Sequence, residues 1–103
     1  MTVFAISLEA RAPETNHLRA YHVTVAQDLL GDWLIDVAFG RIGRANQQRR
    51  YVARDRDAAI RQLKACLQRR VSAPKRIGTA YRCRQLHDPD SWLSQGPHFA
   101  QVA

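Results

Sequence analysis

The chain has 103 residues, of which 46% are hydrophobic and 8% aromatic, and it carries a net charge of +7. This length and composition are those of one globular domain; they exclude a complete Rossmann or barrel enzyme and a disordered tail. No apolar run reaches the roughly 18 residues of a membrane span. The first ten residues lack the positive start of a secretory signal, and two cysteines without CxxC spacing, Cys66 and Cys83, indicate free thiols in a reducing cytoplasm.

The basic residues are concentrated in the middle of the chain. Residues 41–84 contain 14 basic and 2 acidic residues, whereas residues 1–40 and 85–103 are both net acidic. Of the 16 basic residues, 14 are arginine, which makes planar, bidentate contacts with phosphate and stacks on bases. The pattern is typical of a surface that faces a polyanion, although a GC-rich genome also favours arginine over lysine.

The first half of the chain predicts strands joined by turns. Residues 2–8 are apolar and strand-like, and the polar residues 9–16 are predicted to form a loop. Apolar and polar residues alternate over residues 19–27 and again over residues 33–39, which predicts two half-buried strands. Because only a short turn around Gly31 separates them, we expect these two strands to pair as a hairpin.

The alternation stops at residues 40–47. Two glycines three residues apart, Gly40 and Gly43, followed by Asn46, predict backbone with positive φ in this segment. Residues 48–53 then have the composition of a short strand.

A long amphipathic helix is predicted to begin near Arg56 and to end near Val71, because the apolar period changes there from 2 to about 3.6. Asp55 is the natural N-cap. We expect Leu63 and Leu67 to be buried against the sheet. The basic residues of the helix belong either to a solvated face or to the basic surface.

Residues 79–86 predict the last strand, and residues 87–103 an irregular tail that packs through Trp92, Leu93 and Phe99. The expected architecture is therefore an α+β domain over residues 1–86. It has a mainly antiparallel sheet of four to five strands, with the helix packed on one face.

Residues 28–33, Asp-Leu-Leu-Gly-Asp-Trp, followed by residues 39–44, Phe-Gly-Arg-Ile-Gly-Arg, resemble the WGR domain, which is named for its Trp-Gly-Arg tripeptide. The resemblance extends over residues 17–86, and the further positions that agree in order are Arg19-Ala20-Tyr21, Gln47, Tyr51-Val52, Asp57-Ala58-Ala59, Gly78 and Tyr81. This family occurs beside the catalytic region of DNA-dependent poly(ADP-ribose) polymerases and as small bacterial proteins. The resemblance implies a sheet-plus-helix fold that contacts DNA ends or breaks.

The chain departs from the family pattern at three positions. Phe39 replaces the tryptophan, which in the polymerases packs against the sugar at a DNA terminus; Ala20 replaces a common aromatic residue; and Asn46 replaces a second glycine. Phenylalanine keeps a ring but loses the indole N–H. The family role, contact with the terminal phosphate region or with partner domains, therefore transfers more safely to Arg41 than to Phe39.

The predicted nucleic-acid-binding residues combine small residues at the motif turn, surrounding cations and aromatic rings, the composition of a stacking platform in a positive groove. They are Phe39, Gly40, Arg41, Gly43, Arg44, Arg49, Arg50, Lys75, Arg76, Tyr81 and Arg82. We expect these cations to form one continuous face. The structural alternatives are that Phe39 belongs to the core, that Arg41 pairs with an acidic neighbour such as Asp36, and that Tyr81 packs on the helix.

The sequence therefore predicts a non-enzymatic domain that binds DNA backbone phosphates or DNA ends. The alternative is a protein-interaction module that uses the same surface. No catalytic constellation and no metal-ligand spacing among the four histidines is present, so we expect no cofactor, no metal, no small-molecule substrate and no membrane partner. The expected location is the cytoplasm, in association with the nucleoid if the domain binds DNA.

Overall fold

A computed structural model describes residues 2–44, 46–72, 79–94 and 96–101. The described residues form strands β1 (Thr2–Ala12), β2 (His17–Gln27), β3 (Trp33–Arg41), β4 (Gln47–Ala53), β5 (Arg82–His87) and β6 (Ala100–Gln101), with helix α1 (Arg56–Val71) between β4 and β5 and a single 3-10 turn (Pro13–Thr15) between β1 and β2. The strands form one sheet in the order β4-β3-β2-β1-β5-β6. Every pairing is antiparallel except that of the two-residue β6 with β5.

The predicted α+β architecture is confirmed, since a mainly antiparallel sheet carries one long helix. The sheet of the described residues has six strands instead of the predicted four to five, because β6 forms within the segment predicted to be an irregular tail. The side chain of Asp55 caps α1 by accepting a hydrogen bond from the backbone N–H of Ala58 at 2.7 Å. Leu63 and Leu67 are fully buried, as the apolar period predicts. The helix packs on β3 and β4 and closes the core on one side of the sheet.

The prediction of a loop at residues 9–12 is wrong, because β1 continues to Ala12. Glu9 lies between two neighbouring strands, opposite Ala20 of β2 and Arg82 of β5. It is only 8% exposed, and its carboxylate accepts hydrogen bonds from Arg11 and Arg84. Two cationic partners therefore allow a carboxylate to occupy a central strand, which the polar composition of this segment obscures.

The predicted positive φ is confirmed at one of the two motif glycines. Gly43 has a φ of +81°, whereas Gly40 lies inside β3 and pairs with Ala20. The strand continues through Arg41, which pairs with Arg19, so it ends two residues later than the sequence predicts. The glycine of the β2–β3 turn, Gly31, also has positive φ, at +87°.

The segment after β5 packs into the core, as predicted for Trp92, Leu93 and Phe99. Trp92 is 3% exposed; it stacks on Phe4 at 6.1 Å between ring centroids and contacts Trp33 at 5.7 Å. These rings extend the core beyond the area that α1 covers.

The sheet has two different sides. The side that faces α1, called here the helix side, carries the buried alternation of Ile35, Val37 and their neighbours. On the opposite side, called here the open side, lie the alternate residues, including His22, Asp36 and Arg50. No helix of the described residues covers the open side, and none is long and apolar enough to cross a membrane.

Candidate nucleic-acid interface

A cleft opens on the helix side, where the end of β3 meets the last turns of α1. We call it the arginine–aromatic cleft. Its volume is about 220 Å³, and it is lined by Tyr21, Val37, Phe39, Arg49, Tyr51, Cys66, Arg69 and Arg70. Three strands and the helix therefore contribute to one concave surface.

The strand register explains how these side chains come together. Tyr21 of β2 pairs with Phe39 of β3, and Arg49 of β4 pairs with Val37. Paired residues in antiparallel strands point to the same side of the sheet, so all four lie on the helix side. On α1, Cys66 and Arg70 are four residues apart and therefore share a face that meets this group.

Arg70 stacks on two tyrosines. Its guanidinium carbon lies 4.7 Å from the centroid of the Tyr21 ring and 5.8 Å from that of Tyr81. The Nε of Arg70 is buried and has no hydrogen-bond acceptor among the described residues. The ring faces thus hold the cation in the cleft, and at least one N–H donor there is unsatisfied.

Arg49 repeats this arrangement at the other edge of the cleft. Its guanidinium carbon lies 5.7 Å from the centroid of the Phe39 ring, which in turn contacts Tyr21 at 6.5 Å. Arg49 is exposed, and Phe39 is partly buried against the core. Phe39 therefore both packs on the core and forms part of the surface, so the two expectations for this residue are compatible.

The charge of the cleft comes from arginine alone. Within the described residues, no carboxylate lines it. Burial raises the pKa of Tyr21, and contact with Cys66 raises it further, so this phenol stays protonated and neutral at physiological pH. The cleft consequently combines an apolar, aromatic floor with the stacked cations of Arg49 and Arg70.

A second cleft adjoins the first and shares Phe39. We call it the motif cleft; its volume is about 320 Å³, and its lining residues are Asn16, Leu18, Arg19, Phe39, Gly40, Arg41 and Gln47. Arg41 donates hydrogen bonds to Asn16, at 2.7 Å to Oδ1 and 3.3 Å to the backbone oxygen. The alternative pairing of Arg41 with Asp36 is wrong. Because its partner is neutral, Arg41 is positioned without losing its positive charge.

Three arginines of the open side have acidic partners. Arg50 forms an ion pair with Asp36 at 2.6 Å, and Arg11 and Arg84 both pair with Glu9, at 2.8 and 2.9 Å. Burial would raise the pKa of Glu9, but the hydrogen bonds from the two arginines outweigh it and hold that pKa below its ordinary value. A depression of about 420 Å³ on this side is bordered by both members of the Arg50 pair.

The expected single basic face is therefore divided between the two sides of the sheet. Phe39, Arg41 and Arg49 lie on the helix side, whereas Arg50 and Arg82 lie on the open side. Neighbouring residues of a strand point in opposite directions, so a run such as Arg49-Arg50 cannot contribute both cations to one surface.

The remaining predicted residues have three different positions. Gly43 and Arg44 are exposed in the turn after β3, where the N–H of Arg44 donates to the backbone oxygen of Arg41 at 3.1 Å. Tyr81 is buried beside Arg70, in agreement with the packing alternative. Lys75 and Arg76 lie outside the described residues.

Sequence reasoning missed the contributions of Tyr21, Arg69 and Arg70 to the cleft. The signal was present for Arg70, which follows Cys66 by four residues and Leu67 by three and therefore lies next to the apolar face of the helix. From the sequence alone, the basic residues of the helix belonged either to a solvated face or to the basic surface.

In comparisons with protein-family models, curated proteins and solved structures, nothing matches this chain. Within the described residues, no group of three or more histidine, cysteine, aspartate or glutamate side chains is arranged to hold a metal ion. The chemistry of the two clefts is therefore what indicates a function.

Proposed function

We propose that this chain is a non-enzymatic, WGR-like domain that binds DNA through its backbone phosphates, in the arginine–aromatic cleft and the adjoining motif cleft. The observation that carries the proposal is the pair of stacked cations, Arg49 over Phe39 and Arg70 over Tyr21, in a cleft without a lining carboxylate among the described residues. A guanidinium that stacks through its face keeps the N–H groups of its edge for a phosphate.

The floor of the cleft suits the other components of a nucleic acid. Aromatic rings beside cations accept sugars and bases by stacking while the cations hold the phosphates. Phe39 and Tyr51 supply partly buried rings, and Phe39 borders both clefts. A backbone that follows this surface would pass from Arg70 and Arg49 to Arg41, over the residue at the position of the family's tryptophan.

The open side is the poorer candidate, although it also carries arginines. A phosphate that binds Arg50 must compete with Asp36, and one that binds Arg84 must compete with Glu9. A phosphate gains less binding free energy when it must displace an existing ion pair than when it binds a cation that has no acidic partner. This difference supports the helix side as the interface.

The proposal is tested by titrating the protein against labelled duplexes with blunt, nicked and 5′-phosphorylated ends at several salt concentrations. In duplex DNA, log K falls with log salt by about 0.9 for each phosphate neutralised. Contacts from Arg41, Arg49 and Arg70 predict a slope of about −2 to −4. Absence of binding at low salt, or a slope near zero, would contradict the proposal and favour a protein partner; a preference among the ends would identify the preferred DNA feature.

A further inference from the structure

The turn between β2 and β3 presents two adjacent leucines to solvent. Leu29 is 105% exposed and Leu30 is 89% exposed, the two highest values among the exposed large hydrophobic residues. We call residues 28–32 the leucine tip. Single exposed apolar side chains are common, but two neighbours at nearly full exposure on the end of a hairpin form a compact apolar projection.

The backbone of the leucine tip is fixed by hydrogen bonds. Asp28 Oδ1 accepts from the N–H groups of Leu30 and Asp32 at 2.9 and 3.0 Å, and the N–H of Asp28 donates to the oxygen of Asp32 at 2.9 Å. Gln27 Nε2 donates to the oxygen of Gly31 at 3.0 Å. Since the turn is ordered before any contact, little conformational entropy is lost when it binds.

The charge of the leucine tip restricts what it can contact. Asp28 and Asp32 flank the leucines, and residues 27–33 contain no basic residue. Negative flanks repel nucleic acid and anionic lipid surfaces. The complementary surface is an apolar pocket bordered by cations.

The same chain contains a surface of this kind. The arginine–aromatic cleft has apolar and aromatic walls from Val37, Phe39 and Tyr51, with Arg49 and Arg70 stacked at its edges. Its volume of about 220 Å³ exceeds the roughly 150 Å³ that holds a benzene-sized group, so a leucine side chain fits.

The tip cannot occupy the cleft of its own chain. Tyr21 of the cleft and Gln27 beside the tip are six residues apart along one extended strand, a distance of about 20 Å. Within one molecule, the strand holds the two features at different ends of the sheet. Only a second copy can bring them together.

We propose that this protein self-associates head to tail, with the leucine tip of one copy in the arginine–aromatic cleft of the next. Because the contact joins two different surfaces, repeating it produces either an open chain of copies or a closed ring. The net charge of +7 opposes association and the contact is small, so we expect the affinity of self-association to be low. The contact uses the cleft of the proposed function but does not depend on DNA binding, and the tip and DNA compete for it.

The test is sedimentation velocity of the full chain from about 10 μM to about 1 mM, a range of concentrations that includes the dissociation constant of a weak complex. The wild type is expected to sediment faster as concentration rises. Leu29→Ala combined with Leu30→Ala removes the projection, and Arg49→Glu reverses a charge at the cleft. Each variant alone is expected to remain monomeric. Val52→Ala, at an apolar residue that is 61% exposed in β4, is the matched control and should behave as the wild type.

Mixing the two variants distinguishes a tip-to-cleft contact from one in which two tips or two clefts meet. The tip variant keeps an intact cleft and the Arg49 variant keeps an intact tip, so the mixture is expected to form a one-to-one complex and nothing larger. A wild type that stays monomeric, a tip variant that associates normally, or a mixture that stays monomeric would each overturn the proposal.

DNA titrations separate this proposal from the proposed function. The tip variant should bind DNA at least as well as the wild type, and DNA should dissociate wild-type assemblies. Assemblies that bind DNA without dissociating would contradict the shared cleft. Self-association without any DNA binding would contradict only the proposed function.

Discussion

Arginines occur on both sides of the sheet, but their neighbours differ. On the open side, Arg50 pairs with Asp36, and Arg11 and Arg84 share the carboxylate of Glu9. On the helix side, Arg49 and Arg70 stack on aromatic rings instead. Ion pairs satisfy the first group, whereas stacking orients the second group without neutralising it. The side chain's neighbours, rather than its type, therefore determine which arginines are available to an anion.

Only the helix side of the sheet is covered by α1. Weakening the packing of this helix is expected to have the largest effect on stability. Leu63→Ala removes a fully buried side chain between α1 and the sheet and should cost about 2–5 kcal/mol of unfolding free energy. Urea denaturation measures this loss. Leu30→Ala, the same substitution at a site that is 89% exposed, should change stability by less than about 0.5 kcal/mol. Equal losses in the two variants would contradict the packing of α1.

The free energy of unfolding is expected to fall at acid pH, because Glu9 on the open side becomes protonated. The pKa of Glu9 is lower in the folded chain than its ordinary value of 4.5, so ionised Glu9 stabilises the fold above that value, and the stabilisation is lost as pH falls through the lower, folded pKa. Glu9→Gln should cost about 1–3 kcal/mol at neutral pH, because charge-assisted hydrogen bonds to two arginines are weakened.

Unfolding free energies of both proteins between pH 7 and pH 3 check the assignment to Glu9. The difference between wild type and Glu9→Gln should narrow as pH falls below 4.5. A difference that stays constant would show that another group titrates.

Two turns with the same backbone geometry give a further comparison. Gly31→Ala and Gly43→Ala both place a side chain at a φ above +80°, which should cost each variant about 1–2 kcal/mol. Among the described residues, the nearest atom to the methyl group added at Gly31 is Gln27 Nε2 at 3.9 Å, and none lies within 4 Å of that added at Gly43. Only Gly43→Ala should also weaken DNA binding, because its turn carries Arg44 and adjoins Arg41. Thermal melts and DNA titrations of the two variants test both statements. Equal DNA affinities would show that the turn at Gly43 does not contact DNA.

The sequence predicted those elements whose signals are local. The helix from Arg56 to Val71 follows from its apolar period and from Asp55, and β3 follows from its alternation. The continuation of β1 through Glu9 could not be predicted in this way, since one of its ion-pair partners, Arg84, is 75 residues away.

The candidate site was predictable only in part for the same reason. The motif turn and Phe39 are visible in the sequence, but the cleft depends on α1 bringing Arg70 onto Tyr21 and Tyr81, from two other parts of the chain. Strand alternation could have separated Arg49 from Arg50 in advance. The clustering of basic residues in sequence concealed their separation in space.

Arg49 and Arg50 provide the most direct test of the central claim, that the helix side binds DNA. Arg49→Ala and Arg50→Ala remove the same charge from neighbouring exposed residues that point to opposite sides of the sheet. Affinity for a duplex is measured for both variants at one low salt concentration. Loss of a charge-assisted phosphate contact costs about 1.5–3 kcal/mol, so Arg49→Ala should bind at least tenfold more weakly, while Arg50→Ala, whose charge Asp36 already neutralises, should stay within about twofold of wild type. Equal losses, or a larger loss for Arg50→Ala, would contradict the claim.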